Sequence, residues 1–317
     1  IYVSLHQKDT SMKHFTDFSV LTTTLRQTDK KKIVALACPH DSHTQKVINM
    51  ALDNGIAEFI LTAGRQVDEN LSLIIERHKE HVKLIECGND EEAARVAVET
   101  AKAKRADILM KGTLNTDVLL HAALDKQSGI LKKGRVMTHI AMAQIQGYKK
   151  LLMFSDAAVI PHPTLEQFHA IVGYTAEACR RLGIETPNIA LTHFSEKTNP
   201  KFEHTISYKE IIRRAGNGEY GNCIVDGPMD VKTACDTESS EIKGIISPVA
   251  GNADVIIFPN IESGNTFYKT ISLFANATTA GWLEGTDVPV VVSSRADSVE
   301  SKYFSLALAC FLSNNDY

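Results

Sequence analysis

Three observations lead us to predict an α/β protein with two three-layer lobes and a cleft between them. The chain has 317 residues, more than one hydrophobic core usually organises, so two domains are expected. Short β-branched runs alternate with longer amphipathic stretches, which is typical of β-α units around a mostly parallel sheet. The alternation restarts after about residue 145, which indicates a second lobe.

The first lobe is predicted from successive strand-and-helix units. Strand 33–37 is followed by a helix that Asp41 or Ser42 caps and that ends near Leu52. The helix at 90–104 has acidic residues in its first turn and basic residues in its last turn, which complements the helix dipole. Further strands are predicted at 58–62, 82–86 and 108–110, with a helix at 69–78.

The second lobe is predicted from a similar alternation. Its strands are expected at 151–154, 188–192, 223–225, 254–258 and 289–293, and its helices at 164–182, 207–215 and after Gly264. A last helix at 298–312 is expected to return to the first lobe. The lobes would then comprise residues 1–143 with 294–317, and residues 144–293.

Composition and charge argue against several classes of protein. Hydrophobic residues make up 44% of the chain and charged residues 23%, which is an ordinary globular balance. With 34 basic and 38 acidic residues the net charge is −4, whereas nucleic-acid binding normally needs a stronger basic footprint. No apolar run approaches the roughly 20 residues that span a bilayer, and no signal-peptide core opens the chain. Six scattered cysteines indicate buried thiols in a reducing compartment, so a cytoplasmic location is expected.

The richest polar cluster follows the predicted strand at 254–258. Gly264 would let the backbone approach an anion, and the N–H groups of the following helix, near Asn265, would face it. Lys269 adds positive charge within two turns. This segment is interpreted as a phosphate cradle; the alternative is an ordinary strand-to-helix turn with a solvated lysine.

A second anion-binding turn follows the predicted strand at 289–293. Its Arg295 guanidinium has the geometry to grip a phosphate in two places, with the hydroxyls of Ser293 and Ser294 beside it. The alternative is a surface ion pair between Arg295 and Asp297 or Glu300. Two such turns after successive strands are expected to face one cleft.

Two further candidates lie in the first half of the chain. The turn from Lys111 to Thr116 follows a predicted strand, where ligands gather in open α/β sheets. His139 lies near the proposed junction of the lobes and is either a proton carrier or a packed polar residue.

Other motifs lie among predicted elements that do not suit the function the motif usually indicates. Gly216–Gly221 spells G-x-G-x-x-G but follows a helix and precedes a strand, the reverse of a dinucleotide fingerprint. His40 and His43 have a spacing that metal sites use, yet no further ligands accompany them, so a role at a helix cap is favoured and no metal is predicted. The chain also lacks the G-x-S-x-G elbow of a serine nucleophile.

A series of short motifs resembles the phosphate butyryltransferases over about residues 30–312. They occur in the family's order: Lys111-Gly112-x-x-x-Thr116, Thr138-His139, Ser155-Asp156-Ala157-Ala158, Asp226-Gly227-Pro228, Lys243-Gly244, Ala250-Gly251-x-Ala253-Asp254, Pro259-Asn260-Ile261-Glu262-x-Gly264-Asn265-x-x-Tyr268-Lys269 and Ser294-Arg295-Ala296-Asp297. The wider phosphate acetyl/butyryl transferase family shares the late motifs. The Lys-Gly-x-x-x-Thr turn and Ser-Arg-Ala-Asp lean towards the butyryl branch.

The resemblance implies a fold and an activity. The fold is an architecture akin to isocitrate and isopropylmalate dehydrogenases, with a homo-oligomer contact through the second lobe. The activity is transfer of a short acyl group between coenzyme A and phosphate, with acyl-CoA and phosphate as substrates and no permanently bound cofactor. Ser294 and Arg295 would bind the acyl phosphate.

The chain departs from the family pattern at three positions. Ser301 stands where the acetyl branch has an aspartate proposed as the base for the thiol, which leaves Asp297, Glu300 and His139 as candidates. Leu120 stands where that branch has an arginine, so Lys111 is a candidate to meet phosphate instead. Lys232 replaces a frequent aspartate, and nothing in the sequence explains that change.

Three alternative functions remain open at this point. A phosphate acetyltransferase would share the late motifs. A decarboxylating dehydrogenase would share the lobes but needs clustered aspartates for a divalent metal, and the sequence has no such cluster. A regulator that binds coenzyme A without turnover would carry the same polar turns.

Overall fold

The computed structural model describes residues 15–64, 67–294 and 296–313. Its strands in this part are β1 (Lys32–Ala37), β2 (Ala57–Gly64), β3 (Val82–Cys87), β4 (Ile108–Lys111), β5 (Thr138–Gln144), β6 (Leu152–Ser155), β7 (Asn188–Thr192), β8 (Ile224–Met229), β9 (Val255–Ile257), β10 (Thr278–Glu284) and β11 (Val290–Val291). Its helices are α1 (Phe18–Arg26), α2 (Ser42–Asp53), α3 (Glu69–Arg77), α4 (Asp90–Lys102), α5 (Thr116–Ala123), α6 (Leu165–Arg181), α7 (Glu203–Gly216), α8 (Val231–Cys235), α9 (Thr237–Ile242), α10 (Ile261–Phe274) and α11 (Val299–Leu312).

The described strands form one continuous sheet in the order β3-β2-β1-β4-β11-β10-β5-β6-β9-β7-β8. Strands β1 to β4 and β11 form one parallel block, and β6, β9, β7 and β8 form another. Between the blocks, β5 pairs antiparallel with both β6 and β10, and β10 pairs antiparallel with β11. The predicted α/β class with two lobes is therefore confirmed. The division at residues 143/144 and 293/294 stays a prediction.

The two central strands, β5 and β10, were not predicted by the alternation. Both contain residues that favour strands weakly, including Ala141 and Ala143 in β5 and Ala280 and Gly281 in β10. They are strands because their partners on each side complete their hydrogen bonds, and the side chains of Ile140 and Trp282 are fully buried. Tertiary pairing here overrides local propensity.

Most predicted helices form, and one detail corrects the prediction. The Asp41 carboxylate caps α2 by accepting from the Thr44 N–H at 2.9 Å, as expected. Helix α10, however, begins at Ile261 with Asn260 as its cap, so Gly264 lies inside the helix and not before it. The Gly216–Gly221 segment connects α7 to β8, as the reversed motif indicated.

Helix α11 packs against β10 and against two helices of the first half of the chain, α1 and α2. Its residues 305–310 are buried. The six cysteines are free, and four of them are buried. Among the described residues, no helix is both long enough and apolar enough to cross a membrane.

Candidate active site

The first wall of the site is the turn between β4 and α5. Lys111 ends β4, and only 4% of its surface is exposed. Its ammonium group donates to the backbone oxygens of Gly112 and Leu114, both at 3.1 Å. The buried cation therefore holds the turn that leads into α5 at Thr116 in shape.

The second wall is fixed by Asp156, a buried carboxylate directly after β6. One of its oxygens accepts from the Thr138 hydroxyl at 2.7 Å and from the His139 N–H at 3.0 Å. The other accepts from the N–H groups of Ala158 at 2.7 Å and Val159 at 2.8 Å. Four donors on one carboxylate join the start of β5 to the loop after β6. Asp156 belongs to a motif noted in the sequence, but no pattern indicated this structural role.

His139 is held at the start of β5 by the Asp156 carboxylate, and it lines the same cavity as the charged residues of the site. Burial lowers the pKa of its imidazole; the carboxylates of Asp156 and Asp297 act to raise it, and the Lys269 ammonium lowers it further. The Nδ1 atom is buried and has no hydrogen-bond partner among the described residues. The ring is thus neutral at neutral pH and able to accept a proton.

Gly281 in β10 leaves room for the His139 ring. A Cβ at this position would lie 2.7 Å from Nε2 of His139, closer than side chains pack. Gly281 lowers the local β propensity, but the neighbouring His139 imidazole leaves no room for a side chain at this position. Sequence reasoning missed this contact because β10 itself was not predicted.

Helix α10 provides the third wall. Asn265, Tyr268 and Lys269 have the i, i+3, i+4 spacing that places side chains on one helix face. The Asn265 amide donates to the Ala157 carbonyl at 2.9 Å, and the Lys269 ammonium lies 4.6 Å from the centre of the Tyr268 ring. This face supplies a cation, an amide and a phenol.

Gly264 has a different role from the predicted one. Its N–H donates to the Asn260 carbonyl within the helix, at 3.3 Å. A Cβ there would overlap the backbone oxygen of Asp156. The glycine therefore lets α10 pack closely against the loop after β6, and it is not among the residues that line the cavity.

The fourth wall is the turn after β11. The Ser294 N–H donates to the Asp297 carboxylate at 2.7 Å, and the Asp297 N–H donates back to the Ser294 carbonyl at 3.2 Å. The Ser294 hydroxyl oxygen accepts from the Ala296 N–H at 3.3 Å. Arg295, the predicted phosphate ligand, lies outside the described residues.

Ser301, at the family's aspartate position, lies beside this wall. Its hydroxyl is 3.4 Å from the Thr279 hydroxyl, which in turn is 3.2 Å from the Tyr268 hydroxyl. Burial first, and then the Asp297 carboxylate, raise the pKa of the Tyr268 phenol. Ser301 is not among the described residues that line the cavity, and Thr279 links its hydroxyl to that of Tyr268.

The four walls enclose one cavity of about 440 Å³. Eight residues singled out from the sequence line it: Lys111, Thr116, His139, Asn265, Lys269, Ser293, Ser294 and Asp297. Tyr268, which sequence reasoning did not select, lines it as well. Tyr268 lies three residues after Asn265 in the predicted helix, and this spacing was the sequence signal that could have identified it. The arrangement suits an anion near Lys111 and Lys269 and a proton transfer at His139.

Comparisons with known proteins show what the chain is similar to. The model of the family described as "Phosphate acetyl/butaryl transferase" matches residues 77–310. The phosphate butyryltransferase of Clostridium acetobutylicum is 34% identical over 284 residues, which cover 90% of this chain and 94% of that protein.

Two solved structures resemble the fold. A branched-chain phosphotransacylase from Enterococcus faecalis superposes with a TM-score of 0.79 at 28% identity, covering 89% of this chain and 99% of that one. A putative 4-hydroxythreonine-4-phosphate dehydrogenase from Salmonella typhimurium superposes with a TM-score of 0.53 at 12% identity, covering 89% of this chain and 100% of that one. The second likeness shows the fold alone, and it confirms the predicted dehydrogenase-like architecture.

Proposed function

Because this chain belongs to the phosphate acetyl/butyryl transferase family and is a phosphate acyltransferase, we propose that it transfers a butyryl or related short acyl group between coenzyme A and phosphate. The observation that carries the proposal is the single cavity that eight predicted residues line. Coenzyme A acts as a substrate and not as a resident cofactor. We also propose a cytoplasmic homo-oligomer that contacts through the second lobe.

The reaction is a direct attack in a ternary complex. The thiol sulfur of coenzyme A forms a bond to the carbonyl carbon of the acyl phosphate, a tetrahedral oxyanion follows, and the bond from carbon to the phosphate oxygen breaks. A free thiol has a pKa of roughly 8.5, so a base is needed to raise its reactivity at neutral pH. In the other direction, phosphate attacks the thioester.

His139 is proposed as that base. Its lowered pKa keeps the ring unprotonated and ready to accept the thiol proton. Once protonated, the ring faces the carboxylates of Asp156 and Asp297, which stabilise the positive charge. Asp297 is the weaker candidate, because its carboxylate already accepts the Ser294 N–H at 2.7 Å.

The phosphoryl group is proposed to lie between the cationic walls. Lys269 and Lys111 line the cavity from two different elements, α10 and β4, and the sequence adds Arg295 beside Ser294. The Ser294 hydroxyl oxygen accepts the Ala296 N–H, and its own proton is proposed to be donated to the oxyanion. A preset donor of this kind contributes about 3 kcal/mol to a transition state.

The acyl preference is tested by the rate of thiol release. Acetyl-, propionyl-, butyryl- and branched acyl-CoA are each supplied with inorganic phosphate, and free coenzyme A is measured with a thiol reagent. We expect butyryl-CoA or a branched relative to give the largest kcat/KM. A larger value for acetyl-CoA would contradict the butyryl assignment and identify a phosphate acetyltransferase.

The phosphate assignment is tested with Arg295→Ala and the matched control Arg213→Ala. Arg213 makes only a surface ion pair with Glu210, so its loss is expected to leave kcat/KM nearly unchanged. Loss of Arg295 is expected to lower kcat about 10²–10³-fold, as removal of a charge-stabilising donor does, with little change in the melting temperature. Near-normal turnover by Arg295→Ala would remove the proposed role.

A further inference from the structure

Cys38, His40 and Asp90 bring three types of metal-ligating side chain together outside the substrate cavity. One ligand atom from each lies within 4.8 Å of the other two. Cys38 directly follows β1, and His40 lies in the same connection to α2. Asp90 is the first residue of α4. Two segments of the chain, the connection from β1 to α2 and the start of α4, therefore converge on one point.

The structure frees His40 from the role that its sequence context favoured. Helix α2 is capped by Asp41, whose carboxylate accepts from both the N–H and the hydroxyl of Thr44. The His40 N–H donates to the Cys38 carbonyl at 3.0 Å. Its imidazole is gathered with Cys38 and Asp90, whereas His43 is exposed on α2 and is not part of the group.

The backbone at Cys38 is held in an uncommon conformation. Its φ of +57° lies in the left-handed region that residues with a side chain seldom adopt. Its carbonyl accepts from the N–H of Thr113 at 2.8 Å and from the hydroxyl of Thr113 at 2.9 Å. Such conformations cluster at functional positions because surrounding contacts must enforce them. At Cys38 the left-handed conformation directs the thiol towards Asp90, whose carboxylate accepts a hydrogen bond from the thiol at 3.3 Å.

We propose that Cys38, His40 and Asp90 bind a divalent transition metal ion of the Zn²⁺ type, with water at the fourth position. Thiolate sulfur, imidazole nitrogen and carboxylate oxygen form a ligand set that suits Zn²⁺ and excludes Mg²⁺ and Ca²⁺, which prefer oxygen alone. The thiolate and carboxylate charges together balance the charge of the ion.

The ligand atoms need only a small movement to bind. Bond lengths to tetrahedral zinc place ligand atoms roughly 3.4–3.6 Å apart, and the three atoms already lie within 4.8 Å. The Asp90 side chain is exposed and His40 is half-buried, so both have room to move and solvent has access. Binding releases to solvent the thiol proton that Cys38 donates to the Asp90 carboxylate in the absence of metal.

The site would lie directly behind the turn that forms the first wall of the cavity. Thr113, which hydrogen-bonds the Cys38 carbonyl, belongs to the turn that Lys111 holds in shape. The metal would thus brace the turn from outside without contacting substrate. The inference does not depend on the identity of the acyl group.

The test is a titration of the chelator-treated full chain with Co²⁺, which reports a thiolate ligand by a charge-transfer absorption band. The unaltered chain is expected to bind about one equivalent with this band. Cys87→Ser and His43→Gln are matched controls, because they remove a nearby cysteine and the neighbouring histidine without touching the group. Both are expected to retain the band and the affinity.

Three variants probe the group itself. Cys38→Ser is expected to lose the band, and His40→Gln and Asp90→Asn are expected to bind at least about tenfold more weakly. Asp90 is exposed, so Asp90→Asn tests the site even where a change at buried Cys38 disturbs folding. The proposal is overturned if the unaltered chain shows no band, if Cys38→Ser keeps it, or if His40→Gln and Asp90→Asn both bind as tightly as the unaltered chain.

Discussion

His139 and His193 are both histidines whose pKa is lowered by burial, but their surroundings differ. His139 faces two carboxylates and a lysine beside a polar cavity. His193, which follows β7, is 8% exposed and packs against the rings of Phe194 and Phe202, with burial as the cause of its lowered pKa. Its Nδ1 is paired with Nε2 of His204 at 3.0 Å.

The difference shows that burial alone does not make a histidine useful for proton transfer. Both rings are held neutral by desolvation. Only the His139 ring has carboxylates that stabilise the protonated form once a proton arrives. The His193 ring has aromatic neighbours and a second imidazole, so its protonation is unfavourable and its role is packing.

Replacing His139 and, separately, His193 is expected to give the largest difference in kcat/KM between the two regions. His139→Gln removes the proposed base and is expected to lower kcat/KM by about 10²–10⁴-fold, the usual contribution of general base catalysis. His193→Gln is the matched control and is expected to keep kcat/KM within about threefold, although it loosens a buried cluster. Rates of thiol release and melting temperatures of both variants measure the contrast. Comparable activity losses in the two variants would refute it.

Displacing the His139 ring without removing it is expected to have the next largest effect. Gly281→Ala places a Cβ 2.7 Å from Nε2 and forces the ring to move; misplacement of a catalytic group by about 1 Å costs roughly 10²-fold. Gly173→Ala is the control, because its Cβ would meet the Tyr220 ring at an ordinary 3.8 Å within helix α6. Kinetics of both variants decide the matter: unchanged kcat in Gly281→Ala would show that the ring position is unimportant.

Removing a negative or a positive charge near His139 is expected to shift the pH dependence of kcat/KM in opposite directions. Activity requires the unprotonated ring, so kcat/KM falls as pH drops through the pKa of His139, below the ordinary imidazole value. Asp297→Asn removes a carboxylate that raises this pKa, so the acidic limb moves to lower pH. Lys269→Met removes a cation that lowers it, so the limb moves to higher pH. Shifts in the same direction would exclude His139 as the titrating group.

The His193–His204 pair is expected to affect stability instead, and this effect is the smallest. Burial and then His193 lower the pKa of His204 to about 4. Between this value and the unfolded value near 6.5, the unfolded chain takes up a proton that the folded chain does not. Stability is therefore complete above about pH 6.5 and falls as pH drops towards 4.

His204→Gln is expected to reduce this loss by about 1 kcal/mol or less, because solvent screens a half-exposed ring. Urea unfolding at pH 7 and pH 5 measures it, with His81→Gln as an exposed control. An unchanged difference between the two pH values in His204→Gln would contradict the stated cause.

Much of the fold was predictable from local pattern. Parallel strands such as β1 and β7 are short apolar runs followed by helices, and their bounds differ from the predicted ones by at most one residue. The central strands β5 and β10 were not predicted, because their register with neighbours, and not their composition, makes them strands. Local rules contain no information about such partners.

The candidate site was predicted as a set of turns, and its geometry was not. The turns at Asn265 and Ser294 were expected to face one cleft, and the turn from Lys111 to Thr116 was a separate candidate. In the structure the two parallel blocks run in opposite directions, and β5 and β10 join them. The cavity exists because of that missed junction, where Asp156 ties the start of β5 to the end of β6.

The sequence by itself determined the alternation of strands and helices, the helix caps and the set of polar residues placed after strands, because these depend on neighbours a few positions away. Only the tertiary structure decided that His139 is neutral and faces two carboxylates, that Gly264 packs against Asp156, and that Cys38 meets His40 and Asp90. Those properties depend on burial and on distances between segments far apart in the chain, and local pattern does not encode either quantity.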